Sequence, residues 1–238
     1  MRNTVELIGT YGDDETIACS AWTSTSRELT EEKRNRIAEL LEQLWRNGHE
    51  TPFEKGVVHF LVDCDIASHI HLLKHRISSL NAESARYKEL TEDKFYLPKD
   101  WKDAKLTEDV EYPDEKWGDG IYYSKDKETW YNILIDFTFE SNRLYHECLK
   151  QLTPILGRKR AKESARYFKT YNSQIQSDVM FNMRSFANFL RLRYSEHAQN
   201  EICDIAKKML DLVRLTGKFN HTLEAWGYGR IPDNGDME

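Results

Sequence analysis

Long apolar runs are missing from this sequence, and with them any stretch able to cross a bilayer as a helix. The opening Met1-Arg2-Asn3-Thr4 has no signal-peptide character, so the expected compartment is the cytoplasm, with no membrane partner. Cysteine is sparse. Cys19, Cys64, Cys148 and Cys203 lie far apart, forming neither a C-x-x-C pair nor a short disulfide framework, which predicts buried free thiols. Excess positive charge is missing too. At a net charge of −6 the chain is a poor general nucleic-acid binder, so basic residues that do cluster are better aimed at a small anionic ligand.

Familiar reactive signatures are also absent. His49-Glu50 opens like H-E-x-x-H, but Phe53 stands where the second histidine belongs, which excludes that metalloprotease class. His71 and His75 lie one helical turn apart without a third ligand at recognisable spacing, so no metal is expected. No paired Glu-x-x-His motifs mark a di-iron bundle. Ser84 sits in neither a Ser-His-Asp nor a Gly-x-Ser-x-Gly context, which leaves ligand binding as its expected job.

What is present is a balance of 39% hydrophobic and 31% charged residues in 238, enough to bury a real core. The pattern predicts an α+β protein with a small sheet and several long helices, and the length suits one large domain or two small ones. Val5 to Ile8 and Glu15 to Trp22 read as short strands separated by Gly9, Gly12, Asp13 and Asp14. Thr30 caps a helix with Ile37, Leu40, Leu41, Leu44 and Trp45 on one face, and Asn47-Gly48 ends it. Val57 to Val62 reads as a strand. Asp65 then caps a helix from Ile66 toward Arg76, with Ile66, Ile70 and Leu73 inward.

A polar, aromatic excursion at about 97–128 is broken at Tyr96-Leu97-Pro98, Tyr112-Pro113 and Trp117-Gly118-Asp119-Gly120 and reads as surface. Beyond it Trp130, Ile133, Leu134, Phe137, Leu144, Tyr145, Cys148 and Leu152 mark a long amphipathic helix, its aromatic stripe serving core or subunit interface. Tyr167 to Met180 reads as one or two strands. Ile202, Ile205, Ala206, Met209, Leu212 and Val213 form another helix, and Phe219 to Trp226 a short last one. The tail after Gly229, with Pro232, Asn234 and Gly235, should be loose.

Two stretches carry chemistry. The first is Lys74-His75-Arg76-Ile77-Ser78-Ser79-Leu80-Asn81-Ala82-Glu83-Ser84-Ala85-Arg86-Tyr87, where cations bracket a hydroxyl- and amide-rich segment. Arginine offers phosphate a planar, bidentate donor set, and Ser84 with nearby backbone N–H groups can complete an anion nest. A solvated basic turn would show the same residues. The second runs from Asn182-Met183-Arg184-Ser185 to Asn188-Phe189-Leu190-Arg191-Leu192-Arg193, with Met183, Phe186, Ala187, Leu190 and Tyr194 as the buried face. Arg184 and Asn188 share another face, and Arg193 and His197 a third if the helix continues. Ligand-like groups on separated faces suit a helix lying between subunits.

Together these stretches resemble the flavin-dependent thymidylate synthase family. His75-Arg76, seven residues and Ser84 follow that family's Arg-His-Arg, seven residues, Ser; Asn182 to Arg193 and then Ala198-Gln199-Asn200-Glu201 follow its second motif. Two departures stand out: Lys74 replaces the first arginine, and Ala82 stands where a glutamate is usual, with Glu83 one place later. The resemblance implies one mixed domain over 1–238 that carries out reductive methylation of dUMP to dTMP, taking carbon from methylenetetrahydrofolate and hydride from FAD that NADPH has reduced, in a homotetramer with sites at subunit interfaces. It implies flavin contacts at Thr51, Lys74, His75, Arg76, Asn182, Arg184, Asn188 and His197. It implies nucleotide contacts at His71, Leu72, Leu73 and Lys74, at Ala82, Glu83, Ser84, Ala85 and Arg86, and at Arg166 and Arg193, with Arg193 catalytic near uracil N3. His49 and Tyr87 fall in the folate region.

Two other classes stay open at this level. A non-catalytic flavin- or nucleotide-binding homologue is favoured by the departures at Lys74 and Ala82. An RNA-binding module built on Lys74 to Arg76 and Arg158 to Arg160 is opposed by the acidic total and the absence of an RNP-type aromatic strand.

Overall fold

The computed structural model describes residues 2–112 and 121–229. In chain order it runs β1 (Thr4–Tyr11), α1 (Asp14–Ala21), α2 (Glu31–Arg34), α3 (Ile37–Arg46), β2 (Val57–Asp65), α4 (Ile66–Leu73), β3 (Ser79–Ala82), β4 (Val110–Tyr112), β5 (Ile121–Tyr123), α5 (Trp130–Leu156), α6 (Arg158–Ala165), β6 (Gln174–Asn182), α7 (Met183–Arg193), α8 (Asn200–Leu215) and α9 (Asn220–Ala225). The α+β class is the expected one. Two compact units interleave along the chain: the described residues of Met1–Asn3, Cys64–His69 and Glu83–Ile175 form one, and those of Thr4–Asp63, Ile70–Ala82 and Gln176–Glu238 the other. The expected breaks at Pro113 and at Trp117-Gly118-Asp119-Gly120, and the tail at Pro232, Asn234 and Gly235, lie outside the described residues.

The larger unit is built on a four-stranded sheet in the order β1-β2-β6-β3, with β1 antiparallel to β2 and β3 antiparallel to β6. Strict alternation along β2 turns Val58, Phe60, Val62 and Cys64 inward, and β6 does the same with Ser177, Val179 and Phe181. Phe181, Phe186 and Phe189 are fully buried, and Phe181 packs its ring against both Phe186 and Phe189, joining α7 to the sheet. Each such side chain contributes about 1.5–3 kcal/mol of burial. Met183, the first residue of α7, donates its N–H to Gly56 O at 2.9 Å. A Cβ on Gly56 would lie 2.8 Å from Met183 Cγ and from Phe219 Cε1, so only glycine permits this approach.

Several expectations are corrected here. The segment expected as a strand over Glu15 to Trp22 is helical: Asp13 accepts from both Thr16 N and Thr16 Oγ1 at 2.7 Å, an N-cap that fixes α1. Asp14 in turn accepts from His221 N, Thr222 N and Thr222 Oγ1, capping α9 from across the unit. Thr30 caps as expected, but the helix it starts is broken into α2 and α3. Its end is the anticipated left-handed one, with Gly48 at φ 70° and His49 N bonded to Leu44 O.

Asp65 does start α4, accepting from Ser68 N and Ser68 Oγ at 2.8 Å. That bond sets a helical phase different from the expected one: Ser68, His69 and Leu72 are buried, whereas Leu73 is exposed and the helix stops there rather than at Arg76. Tyr167 and Phe168 lie in a 3-10 turn, leaving β6 as the strand of that region. Tyr194, at ψ 67°, ends α7, so Arg193 and His197 do not share a helical face. Of the four free cysteines only Cys64 is buried; Cys19, Cys148 and Cys203 sit half-buried.

In the smaller unit α5 packs along α6 through Tyr145, Leu149, Ala161 and Ala165. Of the expected stripe of α5, Tyr145 is buried and Trp130 and Phe137 are exposed, while polar Thr138, Ser141 and Asn142 are buried on the inner face. Each of the three is bonded there: Asn142 Oδ1 accepts from Lys169 Nζ at 2.7 Å, Thr138 Oγ1 accepts from Asn172 Nδ2 at 2.9 Å, and Ser141 Oγ donates to Phe168 O; the almost wholly buried Lys169 side chain also donates to Asp93 Oδ1 at 2.8 Å. The excursion is more than surface. Its described residues pair β4 antiparallel with β5 and bury Leu106.

Candidate active site

A cavity of about 750 Å³ opens in the larger unit, lined by Glu50, Glu54, Lys74, His75, Arg76, Ile77, Asn182, Arg184, Ser185, Asn188, Leu192 and Arg193. Seven of these were expected from the sequence: Lys74, His75, Arg76, Asn182, Arg184, Asn188 and Arg193. The turn after α4 supplies the first three. The strand-to-helix junction of β6 and α7 supplies the rest, spaced so that Arg184, Asn188 and Leu192 recur every turn.

Asn182 is the α7 N-cap, its Oδ1 accepting from Ser185 N at 2.8 Å. The positive end of the helix dipole therefore adds to four cationic side chains facing two carboxylates, which leaves the lining net positive. Lys74 and Arg76 are exposed and have no acidic partner among the described residues. Arg184 is held differently, its Nε donating to Glu50 at 2.9 Å and its NH1 to Glu54 at 2.7 Å; these bonds hold the guanidinium firmly charged.

Arg193 Nε donates to His75 Nε2 at 3.0 Å. The imidazole ring meets the Phe189 ring edge-on at 4.9 Å between centroids, and only 9% of His75 is exposed. Burial first, then the Arg193 and His71 charges, lower its pKa to about 4, so this histidine is neutral at physiological pH.

A second cavity of about 470 Å³ shares Glu50, Arg184 and Asn188 with the first and adds Trp45, Ala187, Arg191, Trp226 and Tyr228. Trp45 and Trp226 pack together at 5.5 Å, making an aromatic wall beside Arg191, whose NH2 donates to Asn188 Oδ1 at 3.0 Å. Planar rings and anions suit such a surface.

The remaining expected residues are placed as follows. Thr51 and His49 flank Glu50 at the start of the 3-10 turn Thr51–Lys55, exposed and not among the cavity-lining residues. His71 pairs through Nε2 with Gln199 at 3.2 Å. Leu72 is wholly buried, leaving only its backbone for a ligand, and Leu73 and His197 are exposed.

Ala82 ends β3 opposite Ser177, in the larger unit. Glu83, Ser84, Ala85, Arg86, Tyr87 and Arg166 belong to the smaller unit. There Ser84 Oγ accepts from Arg86 N and Ser84 O from Tyr87 N, forming a tight turn. Arg86 Nε donates to Glu163 at 3.0 Å, leaving its terminal nitrogens unspent, and that bond holds the Glu163 carboxyl below its usual range. Glu83 accepts from Lys88 Nζ at 2.6 Å. Arg166 is exposed, with no acidic partner among the described residues. Among those residues no group of three or more His, Cys, Asp or Glu side chains is arranged to hold a metal ion, and no helix is long and apolar enough to cross a membrane.

Sequence reasoning missed five lining residues: Glu50, Glu54, Ile77, Ser185 and Leu192. Ile77 and Leu192 were legible as apolar side chains stranded in polar runs; they are exposed and offer two hydrophobic faces to a planar ligand.

A family model described as thymidylate synthase complementing protein matches residues 6–216. A flavin-dependent thymidylate synthase of Pseudothermotoga lettingae is 34% identical over 205 residues, covering 86% of this chain and 82% of its own. One from Thermotoga neapolitana is 31% identical over 210 residues, covering 88% and 85%. Among solved structures, the UMP/dUMP methylase PolB from Streptomyces cacaoi bound with 5-Br dUMP superposes with a TM-score of 0.70 at 26% identity, covering 96% of each chain.

Proposed function

The chain belongs to the thymidylate synthase complementing protein family, and on that premise we propose that it is a flavin-dependent thymidylate synthase converting dUMP to dTMP. The observation that carries this reading is the cavity itself: the residues of two distant motifs line one net-positive pocket. The balanced reaction takes dUMP, methylenetetrahydrofolate, NADPH and a proton to dTMP, tetrahydrofolate and NADP⁺. The uracil C5–H is exchanged for a methylene group that a hydride then completes to methyl.

FAD fits the donor set. Lys74, Arg76 and Arg184 are cations for its diphosphate, the α7 N-terminus adds its dipole, and Ile77 with Leu192 offer apolar faces for a ring; the cavity volume is in the usual range of about 300–1,000 Å³. Asn182 and Asn188 stay assigned to the same cofactor region, with Thr51 and His197 beside it, while the His75 imidazole is reserved for its contact with Arg193. Bound there, FAD supplies the hydride, and NADPH restores it.

The chain's own residues do the rest. Ser84, Arg86 and Arg166 are assigned to the nucleotide phosphate, in a turn whose Glu163 bond leaves the Arg86 fork open for two acceptors. Glu83, Ala82, Ala85 and the His71 to Lys74 segment keep the nucleotide assignment that the resemblance gives them. Arg193 is assigned to the uracil ring, where its fixed charge stabilises the negative charge that builds as C5 becomes a nucleophile. The aromatic wall of Trp45, Trp226 and Tyr228 is assigned to the planar rings of folate and reductant, and His49 and Tyr87 keep the folate assignment that the resemblance gives them.

Homotetrameric assembly is supported by the large apolar side chains left in solvent. Phe137, Phe139, Ile155 and Tyr171 of the smaller unit and Ile77 of the larger are each 59% or more exposed. The four free thiols suit the cytoplasm. Purified protein should be yellow and, given dUMP, methylenetetrahydrofolate and NADPH, should release dTMP. Yellow protein that oxidises NADPH without making dTMP would instead select the non-catalytic homologue.

A further inference from the structure

Arginines in this protein are mostly steadied by carboxylates. Arg184 spends Nε and NH1 on Glu50 and Glu54, Arg86 spends Nε on Glu163, and Arg214 spends NH1 on Asp211. Arg193 is held by a neutral group instead: its Nε donates to an imidazole, His75 Nε2, at 3.0 Å. A guanidinium only donates, so Nε2 must carry the lone pair and the imidazole proton must reside on Nδ1.

The acceptor is itself fixed. His75 N donates to Leu72 O at 3.0 Å, Ser78 Oγ donates to His75 O at 2.6 Å, and Phe189 braces the ring. A carboxylate in the same place would orient Arg193 equally well, but it would cancel much of the field that Arg193 must exert on the uracil ring. A neutral acceptor fixes direction and leaves the full charge available.

We propose that His75 is a positioning residue for Arg193, a neutral acceptor that aligns the guanidinium through Nε and leaves its NH1/NH2 fork free and un-neutralised for the uracil ring of the nucleotide. This deepens the reading of Arg193 given above and rests on it. Ionisation of His75 is opposed first by burial, then by the charges of Arg193 from α7 and His71 from α4; Lys74, Arg76 and Arg184 are the other cations lining the cavity, and its acidic groups, Glu50 and Glu54, are both spent on Arg184. The imidazole therefore stays neutral through the working pH range.

The test uses full-length holoenzyme and three variants. H75Q keeps a neutral acceptor, H75F keeps bulk without one, and H75E keeps an acceptor but adds a negative charge. The measurements are kcat, KM for dUMP, FAD affinity by flavin absorbance, and the calorimetric affinity ratio of 5-fluoro-dUMP to dUMP at pH 8. The fluorinated ring loses its N3 proton more readily, so this ratio reports the positive charge facing the ring without any turnover.

The expected result is H75Q within about tenfold of wild type in kcat, and H75F and H75E slowed roughly a hundredfold, the scale of a misplaced or muted reacting group. FAD affinity should be unchanged in H75Q and H75F. The 5-fluoro-dUMP preference should be kept in H75Q, reduced in H75F and lost in H75E. No limb near pH 6.5 should appear in wild-type kcat that H75Q removes.

Three results would overturn the proposal: H75F turning over like wild type; H75F losing FAD while the flavin-saturated variant runs at full rate, which would make the imidazole a cofactor ligand; or H75E matching H75Q in both rate and ligand preference. If H75F does not fold, the contrast between H75Q and H75E decides the question alone. Wild-type protein that binds both nucleotides but makes no dTMP would refute the functional reading while leaving the ligand-preference comparison intact.

Discussion

Acid should destabilise this protein through its buried histidines, and His75 carries a shift that can be sized. His75 titrates at about 4 in the fold, against 6.5 for an unhindered imidazole, because burial and the Arg193 charge oppose its protonation. Between those values the unfolded chain binds a proton that the folded chain refuses, so stability falls as pH drops from about 6.5 to about 4 and is fully present only above 6.5. A gap of this size corresponds to about 3 kcal/mol once pH is below both values, and to about 2 kcal/mol at pH 5.

The assay is urea unfolding of flavin-free protein at pH 7.5 and pH 5.0, at one protein concentration, comparing wild type with H75Q. Burial also lowers the His69 pKa and raises that of Asp14, so the wild-type curve alone mixes several groups. The difference between the two proteins isolates His75, since glutamine can accept from Arg193 without titrating. H75Q should lose about 2 kcal/mol less than wild type between the two conditions. Identical losses would show that the imidazole is not buried and charge-opposed in the way described.

Other perturbations have equally definite outcomes. Arg193→Ala should keep fold and flavin yet slow methylation by roughly two to three orders of magnitude, the scale for losing a charge-stabilising donor; unchanged turnover would refute its assignment. Lys74→Arg should tighten FAD, because a fork replaces a point charge on the cavity lip, and flavin titration giving equal affinities would remove Lys74 from the diphosphate. Gly56→Ala should cost about 1–3 kcal/mol in urea unfolding, since its methyl would enter space held by Met183 and Phe219. A neutral result there would mean that α7 is not seated tightly against the turn before β2.

Much of the site was legible because its chemistry is concentrated in two short motifs. Asn182, Arg184, Asn188 and Arg193 follow from one helical pattern and its N-cap, and the turn after α4 delivers Lys74, His75 and Arg76 to the same cavity. What escaped the sequence depends on tertiary partners. Glu50 and Glu54 look like ordinary acidic residues until Arg184, more than a hundred residues away, is seen bridging them.

Fold errors have the same origin. The alternation over Glu15 to Trp22 fits a strand, but the Asp13 cap and the demand of α9 for Asp14 decide for helix. The phase of α4 was set by the Asp65–Ser68 bond and not by its most apolar stripe, and the polar inner face of α5 answers to Phe168, Lys169 and Asn172 from another segment.

The most direct measurement is product analysis of the purified protein incubated with dUMP, methylenetetrahydrofolate and NADPH, with the flavin spectrum followed in the same cuvette. The account predicts a yellow protein whose flavin is bleached by NADPH and recovers as dTMP accumulates, one dTMP for each NADPH consumed. A protein that holds flavin and nucleotide yet returns dUMP unchanged would contradict it.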